Sequence, residues 1–91
     1  MNIVQKLPFK QAYKKLFPQQ KFIVDQEIRK ICANPDIGIP KKQDLQGIYV
    51  HKFKINSQLY LLAYSFDPIT LRLILLGVHE NFYRNLKITL K

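Results

Sequence analysis

The sequence predicts an α+β domain in which an N-terminal helical hairpin packs on a small, mainly antiparallel β-sheet, followed by a short C-terminal helix. Apolar residues recur at helical spacing up to about residue 34, alternate with a period of two from residue 48, and return to helical spacing after residue 79. The 91 residues are enough for one hydrophobic core. We therefore predict a single domain, 1–91.

Two helices are predicted in the first third of the chain. The first runs from about Phe9 to Phe17, where the apolar residues form a stripe. Pro18 interrupts this helix and suits the first turn of the next one. The second helix should end at Asn34, because the residue before Pro35 is pushed out of helical backbone angles. Together the two helices are interpreted as an antiparallel hairpin.

Three strands are predicted after a loop at residues 36–46, and they occupy residues 48–55, 59–66 and 71–78. Turns at Asn56–Ser57 and Asp67–Pro68 join them into an antiparallel meander. Residues 2–7 carry a weaker strand pattern. The tail from His79 to Leu90 is predicted to be helical, with apolar residues four apart.

The strand at 48–55 carries lysines where a central strand ordinarily carries apolar residues. Its alternation turns Tyr49, His51, Phe53 and Ile55 to one side and Lys52 and Lys54 to the other. Lysine is unfavourable in a central strand and is rarely fully buried. The helices should cover one sheet face, so Lys52 and Lys54 are expected on the other, open to water. The alternative is a solvated strand face without a ligand.

Charge is the strongest global signal. Lys and Arg number 15 against 6 Asp and Glu, for a formal net charge of +9. A small domain with this excess attracts polyanions, so nucleic acid or an acidic protein partner is expected. The alternative is a basic surface that serves solubility alone. Charge does not by itself imply catalysis.

Composition also limits the location and the chemistry. The apolar runs are too short for a membrane span, and the N-terminus lacks the features of a signal peptide. We therefore expect a cytoplasmic protein that does not interact with membranes. Cys32 is the only cysteine, the acids are scattered, and no Gly-rich phosphate loop is present. We expect neither a metal nor another cofactor.

The remaining functional side chains are Lys, Arg, His and Tyr, which suit metal-independent RNA cleavage. The RNA 2′-hydroxyl attacks its own phosphate, so the protein need not supply a nucleophile. It must accept a proton, donate a proton and stabilise charge on the phosphorane. Histidine can transfer protons near neutral pH, and lysine or arginine can hold the phosphate.

Four segments carry a resemblance to a known family: FKQAYKKL (9–16), ANPDIGIPKKQDLQGIYVHKFKI (33–55), YLLAY (60–64) and LILLGVHENFYRNLK (73–87). Their order and spacing resemble the RelE/ParE superfamily of toxins from type II toxin–antitoxin systems, on the RelE/YafQ-like branch. The resemblance implies a RelE/ParE-like fold and a toxin that causes growth arrest. The best-studied RNases of this family bind in the ribosomal A site and cut mRNA there, which inhibits translation.

The resemblance also implies roles for individual residues. Lys52 and Lys54 match a lysine pair of RelE-type toxins, in which one lysine helps as a base and both hold phosphate. His79 stands where RelE-type enzymes have an arginine and the YafQ-type branch has a histidine, and Tyr83 stands at the YafQ-type spacing from it. His79 is interpreted as the general acid, and Tyr83 as the residue that stacks on a base or orients the nucleotide. The alternative for His79 is that it only caps the C-terminal helix.

One departure from the RelE pattern leaves the activity open. RelE-type enzymes carry an arginine on the strand at 59–66 that stabilises the transition state, and Leu61 is aligned with it here. Arg84 is interpreted as a substitute from the C-terminal segment. His51 is the other histidine, and it lies on the face opposite the lysines. The ParE branch shares the fold, lacks the RNase residues and poisons DNA gyrase, so a gyrase inhibitor without nuclease activity is the alternative.

The predicted partners follow from the same resemblance. The predicted nucleic-acid-binding residues are Lys41, Lys42, Lys52, Lys54, Arg72, Arg84 and Lys87. They would contact mRNA in the ribosomal A site. A cognate antitoxin with an acidic, amphipathic segment would cover the sheet face that carries Lys52 and Lys54. Operator DNA would be reached only through that antitoxin, and a third interpretation is a toxin-like relic that only binds the antitoxin and operator DNA.

Overall fold

The computed structural model describes residues 1–90 and shows the predicted α+β architecture. The elements in chain order are β1 (Asn2–Gln5), α1 (Leu7–Lys14), α2 (Pro18–Ala33), β2 (Ile39–Pro40), β3 (Tyr49–Ile55), β4 (Gln58–Phe66), β5 (Thr70–Val78) and α3 (Phe82–Thr89). Short 3-10 turns at Pro35–Ile37 and Gln43–Leu45 lie within the long loop. None of the helices within residues 1–90 combines the length and apolar character needed to cross a membrane.

The five strands form one sheet in the order β1-β5-β4-β3-β2. β3, β4 and β5 are the predicted antiparallel meander, and β1 adds a parallel edge strand beside β5. All four residues of β1 are exposed, which explains why its sequence pattern is weak. β2 pairs only two residues with β3 and was not predicted from the sequence. The sheet is therefore mainly antiparallel, as predicted.

The helical hairpin covers one face of this sheet, which we call the hairpin face. Phe9 of α1 and Val24 and Ile31 of α2 are buried against it. The sheet contributes Phe53, Ile55, Leu62, Tyr64, Leu71, Leu73 and Leu76 to the same core. A register shift opposite Ala63 and Tyr64 turns residues 73 and 76 of β5 to this face, although they are three positions apart.

The opposite face, which we call the lysine face, has a second core beneath α3. Phe82 and Leu86 of α3 are 2% and 0% exposed and pack on the sheet. Their partners are Leu45, Ile48, Val50, Leu61, Ala63 and Ile74. The expectation that this face is open is therefore wrong at its centre. β4 is apolar on both sides, so both of its faces must be covered.

A tyrosine hydroxyl fixes the long loop to the hairpin face. The Tyr64 hydroxyl accepts a hydrogen bond from the Gly38 N–H at 2.9 Å and donates one to the Pro35 carbonyl at 2.5 Å. Burial raises the pKa of this hydroxyl above its ordinary value. A Cβ atom added at Gly38 would lie 2.5 Å from the Tyr64 hydroxyl oxygen, so this close approach requires glycine.

Replacing Gly38 with alanine is expected to lower the free energy of unfolding by about 1–3 kcal/mol, because the displaced hydroxyl leaves buried polar groups without partners. Denaturant unfolding measures this loss. In a Tyr64→Phe background the same substitution should cost less, since the hydroxyl is already absent. Equal costs in both backgrounds would contradict the role of the hydroxyl and assign the cost to the ring carbons, which lie 2.9 and 3.0 Å from the added Cβ atom.

Candidate nucleic-acid interface

The strand register brings the two predicted lysines to the margin of the lysine face. Lys52 pairs with Leu61, which pairs with Gly77, and Lys54 pairs with Leu59 in the next row. Gly77 therefore lies about 10 Å from Lys52, which is two strand spacings. Both lysines are exposed. β2 pairs only with Tyr49 and Val50, so the part of β3 that carries the lysines forms the edge of the sheet. The sheet margin thus presents two ammonium groups to solvent.

His79 directly follows β5 at the same end of the sheet. Val78 ends the strand and pairs with Tyr60. His79 is the first residue beyond the strand, and its ring approaches Tyr83, which packs against the core of the lysine face. His79 is also exposed. The imidazole and the two lysines consequently lie at one end of one sheet face, with the lysines on β3, the histidine just beyond β5, and β4 between them.

His79 and Tyr83 are neighbours, although they do not share a helix. Their ring centroids are 6.4 Å apart, with the planes at 82°. The sequence predicted a helix from His79, whereas α3 begins at Phe82. Asn81 adopts a left-handed φ of 62° before that helix and ends the extended segment. This turn brings the chain back over the sheet, so that the aromatic ring approaches the histidine.

Tyr83 also contacts the long loop, a contact that the sequence did not predict. The Nζ atom of Lys41 lies 4.9 Å from the centroid of the Tyr83 ring. This is a cation–π distance, and the ring face carries the negative part of the aromatic quadrupole. Lys41 lies opposite Ile48, its N–H donating to the Ile48 carbonyl at 2.9 Å. Lys42, the next residue of the loop, is exposed.

The cations of α3 lie along the same loop. Lys87 forms a salt bridge of 3.4 Å with Asp44, and both side chains are largely exposed. Arg84 and Lys87 line a shallow cavity of about 410 Å³ beside Leu45. Arg84 follows Tyr83 by one residue, so the helix turns its side chain about 100° away from that ring. Leu61, the position aligned with the strand arginine of RelE-type enzymes, is fully buried.

Arg72 is the one predicted RNA-binding residue that the fold separates from the others. It precedes Gly77 by five positions on β5, which corresponds to about 16 Å along the strand. Its guanidinium forms a 3.0 Å salt bridge with Asp67. Hydrogen bonds from the Ile69 and Thr70 N–H groups and from Arg72 lower the pKa of the Asp67 carboxyl. Arg72 therefore closes a turn at the opposite end of the sheet.

His51 belongs to a polar cluster on the hairpin face. Its Nε2 atom lies 2.7 Å from Oε1 of Glu27, and Lys30 donates to Oε2 at 2.8 Å. Burial alone would raise the pKa of Glu27, but the hydrogen bonds from Lys30 and His51 outweigh burial and hold that pKa below its ordinary value. The sequence carried one signal for this cluster, since Glu27 lies on the apolar stripe between Val24 and Ile31.

The lowered pKa of Glu27 predicts a loss of stability in acid. Its contribution is fully present above the unfolded-state value near 4.5 and is lost as the pH falls through the lower folded-state value. The Glu27→Gln variant should be less stable than the parent by about 1–3 kcal/mol at neutral pH, because it breaks a largely buried pair. Denaturant unfolding between neutral pH and about pH 3 should show this difference shrinking. A constant difference would contradict the assigned ionisation.

Metal-binding groups are not clustered in the described part of the chain. Within residues 1–90, no three His, Cys, Asp or Glu side chains are arranged to hold a metal ion. The candidate interface consists of Lys41, Lys42, Lys52, Lys54, His79, Tyr83, Arg84 and Lys87. Its chemistry is therefore that of cations, an imidazole and a phenol, which suit phosphate binding and proton transfer.

A helical hairpin on a mainly antiparallel sheet, with a cationic opposite face, is the architecture of a RelE/ParE superfamily toxin. The family model described as ParE-like toxin of type II bacterial toxin–antitoxin system matches residues 3–87. Because this match spans most of the sequence, the chain belongs to that family. No curated protein matches the chain by sequence.

Solved structures show the same fold. The crystal structure of the intact E. coli RelBE toxin–antitoxin complex matches with a TM-score of 0.69 at 18% identity, covering 87% of this chain and 96% of that one. A double arginine-to-alanine mutant of E. coli RelE in the free state matches with a TM-score of 0.69 at 18% identity, covering 90% of this chain and 86% of that one. The isolated E. coli RelE toxin matches with a TM-score of 0.66 at 17% identity, and the match covers 96% of each chain. At these identities the likeness shows the fold.

Proposed function

We propose that this toxin is a metal-independent, ribosome-dependent mRNA endonuclease that inhibits translation. The observation that carries the proposal is the placement of Lys52, Lys54 and His79 at one end of one sheet face, with Tyr83 beside the histidine. These groups can bind a phosphodiester and transfer protons on both sides of it. The RNase activity of RelE-type relatives in the ribosomal A site supports the same assignment.

The proposed reaction uses the RNA as its own nucleophile. One of the two lysines, Lys52 or Lys54, acts as the base and takes the proton of the 2′-hydroxyl, and the 2′-oxygen attacks the adjacent phosphorus. The bond from phosphorus to the 5′-oxygen breaks, and protonated His79 gives its proton to that leaving oxygen. The products are a 2′,3′-cyclic phosphate and a free 5′-hydroxyl. The second lysine offsets the charge on the phosphorane, with Arg84 available from α3.

Tyr83 is proposed to position the nucleotide. Its ring contacts His79 and Lys41 and is only half-buried, so part of it can stack on a base. Lys41, Lys42 and Lys87 would hold backbone phosphates on either side of that base. Arg72 lies apart from this set and would reach RNA or the antitoxin only at the far end of the sheet.

A cognate acidic antitoxin is the proposed protein partner. The E. coli RelE neighbour is found in complex with an antitoxin, and this chain carries a net charge of +9. An acidic amphipathic segment would be attracted to that charge and could cover the lysine face. Operator DNA would then be reached through the antitoxin. The toxin itself is proposed to act in the cytoplasm, where ribosomes are found.

Primer extension on mRNA from a translating extract tests the nuclease proposal. Added toxin should produce new 5′ ends on ribosome-bound message. A Lys52→Ala, Lys54→Ala, His79→Ala variant should lose these ends because it lacks the proposed base, phosphate contacts and acid. Unchanged cutting by this variant would overturn the assigned site. A Lys30→Ala variant, altered on the hairpin face, should keep cutting and serves as the control.

A gyrase inhibitor without nuclease activity is the second candidate. The observation that favours it is the buried Leu61 at the position of the catalytic strand arginine, together with the ParE-like family match. Purified DNA gyrase with supercoiled plasmid distinguishes the two candidates. Stabilised cleavage complexes with intact mRNA would select gyrase inhibition, whereas cut mRNA with normal supercoiling would select the nuclease.

A further inference from the structure

Strand β1 forms an uncharged free edge of the sheet. It is the first strand in the order β1-β5-β4-β3-β2, so only one of its two sides is paired. The N–H groups of Asn2 and Lys6 donate to the segment that contains β5, at 2.8 Å each. Alternate residues of a strand direct their backbone groups to opposite sides. Ile3 and Gln5 therefore point their N–H and C=O groups outward, away from β5.

The side chains of this edge are apolar and exposed. Ile3 and Val4 are 46% and 42% exposed, and Met1 and Ile69 beside them are 51% and 67% exposed. Proteins ordinarily protect a free sheet edge with lysine, proline or a bulge, and β1 has none of these. Exposed apolar side chains around unpaired backbone groups are typical of a surface to which another strand adds.

A groove between β1 and α2 extends this apolar surface onto the hairpin face. Ile3, Ile28 and Leu73 line a cavity of about 250 Å³, together with Asp25 and Arg29. Ile3 faces the same side of the sheet as its partner on β5, which belongs to the hairpin-face core. The side chains of an added strand can therefore pack beside Ile3 in this groove.

Charge at the β1 edge is balanced, in contrast to the cationic sheet margin at β3. Asp25 and Arg29 carry opposite charges in the groove. Arg72, which pairs with Val4, forms a salt bridge of 3.0 Å with Asp67. An acidic antitoxin would be attracted to the cations of the lysine face, about 14 Å away across three strand spacings. An uncharged strand suits the β1 edge better, and β1 itself is such a strand.

We propose that the β1 edge is an interface with a second copy of this chain, formed by antiparallel pairing of the two β1 strands about a twofold axis at Val4. In this register Ile3 lies opposite Gln5 of the partner subunit, and their outward backbone groups form hydrogen bonds in both directions. Val4 meets its own counterpart, and Lys6 lies opposite the uncharged Asn2 of the partner subunit. The two sheets become continuous, with both β3 strands toward the outer ends and both candidate nucleic-acid interfaces accessible.

Like charge opposes this dimer and gives it a distinctive salt dependence. Each copy carries a net charge of +9, so the copies repel each other at low salt. At physiological ionic strength the Debye length is about 8 Å, which screens much of this repulsion. Because β1 has only four residues, the interface is small and the dimer forms reversibly. Dimerisation should therefore strengthen with salt, whereas binding of RNA or of an acidic partner should weaken.

Sedimentation equilibrium of the purified protein tests this inference. The average mass should rise with protein concentration from 10.8 kDa toward twice that value, and added salt should shift the rise to lower concentration. Val4→Lys places two ammonium groups opposite each other and should abolish the rise. Ile88→Lys adds the same charge at a 62% exposed position on α3 and should dimerise nearly as the parent does. A parent that stays monomeric up to about 1 mM, the weak end of specific association, would overturn the inference.

A charge exchange at Val4 tests the proposed register. Val4→Asp alone should remain monomeric, because two carboxylates then oppose each other. An equimolar mixture of the Val4→Lys and Val4→Asp proteins should form a heterodimer, since opposite charges meet across the axis. Failure of this mixture to associate would contradict the pairing about Val4.

Hydrogen exchange distinguishes a second copy from another occupant. The amides of Ile3 and Gln5 should become protected as the concentration of the parent rises, because pairing engages their outward N–H groups. The same amides should exchange rapidly in Val4→Lys at every concentration. Protection that requires an added acidic antitoxin would assign the β1 edge to the antitoxin and overturn the inference. The nuclease proposal is unaffected by either outcome, since cleavage is measured at Lys52, Lys54 and His79.

Discussion

Replacing His79 with alanine is expected to slow mRNA cleavage by about 100- to 10,000-fold, the range typical for loss of a positioned general acid. The leaving 5′-oxygen would then depart without a proton from the protein. The limb of the pH–rate profile that reports the proton donor should also disappear, since no other imidazole lies on the lysine face of residues 1–90. Single-turnover cleavage of ribosome-bound mRNA across pH measures both effects.

His51→Gln is the matched control for this experiment. It also removes an imidazole, but on the hairpin face, where His51 lies 2.7 Å from Glu27. We expect lower stability and an unchanged pH–rate profile. If His51→Gln alters the profile while His79→Ala preserves it, the general acid has been assigned to the wrong histidine. A His79→Ala rate within a few-fold of the parent would instead point to water as the proton source.

The elements of the fold could be predicted because their patterns are local. The switch from helical spacing to alternation located α1, α2 and the meander. Pro18 and Pro35 located the two ends of α2, whereas α1 spans Leu7–Lys14 rather than the predicted Phe9 to Phe17. The same logic placed Lys52 and Lys54 on the opposite face of β3 from Phe53. Such features depend on the period of one segment, which the sequence displays directly.

The packing of α3 on the lysine face was not predicted, although the sequence of β4 indicates that this face is covered. β4 reads Leu-Tyr-Leu-Leu-Ala-Tyr across residues 59–64, so apolar side chains point to both sides. A strand of this kind needs packing on both faces. The tail was assigned as a helix, but no element was assigned to the second face. Pairing these two observations would have placed α3 over Leu61 and Ala63.

Contacts between distant segments were beyond what the sequence could show. The approach of Lys41 to Tyr83 depends on where the long loop crosses the sheet, and the ion pair of His51 with Glu27 depends on how α2 lies on β3. Neither pair has a fixed spacing that would mark it. The proximity of His79 and Tyr83 was expected from a helix, but it is produced by the turn at Asn81.

The docking of α3 should depend on Phe82 more than on any exposed residue of that helix. Phe82→Ala is expected to lower the free energy of unfolding by about 3–5 kcal/mol, because it removes a buried ring and leaves a cavity over the sheet. For a domain of this size, each kcal/mol corresponds to about 4–8 °C in Tm. Thermal unfolding therefore provides a sensitive measurement.

Ile88→Ala is the matched control, because Ile88 lies on the same helix and is 62% exposed, whereas Phe82 is 2% exposed. Its effect on stability should stay within about 0.5 kcal/mol. Phe82→Ala should also reduce cleavage beyond its effect on stability, since the ring packs at 5.5 Å against Tyr83 and thereby sets the distance of Tyr83 from His79. Normal cleavage by a Phe82→Ala protein that is folded at the assay temperature would show that α3 does not build the site, and the roles proposed for Tyr83 and Arg84 would then have to be abandoned.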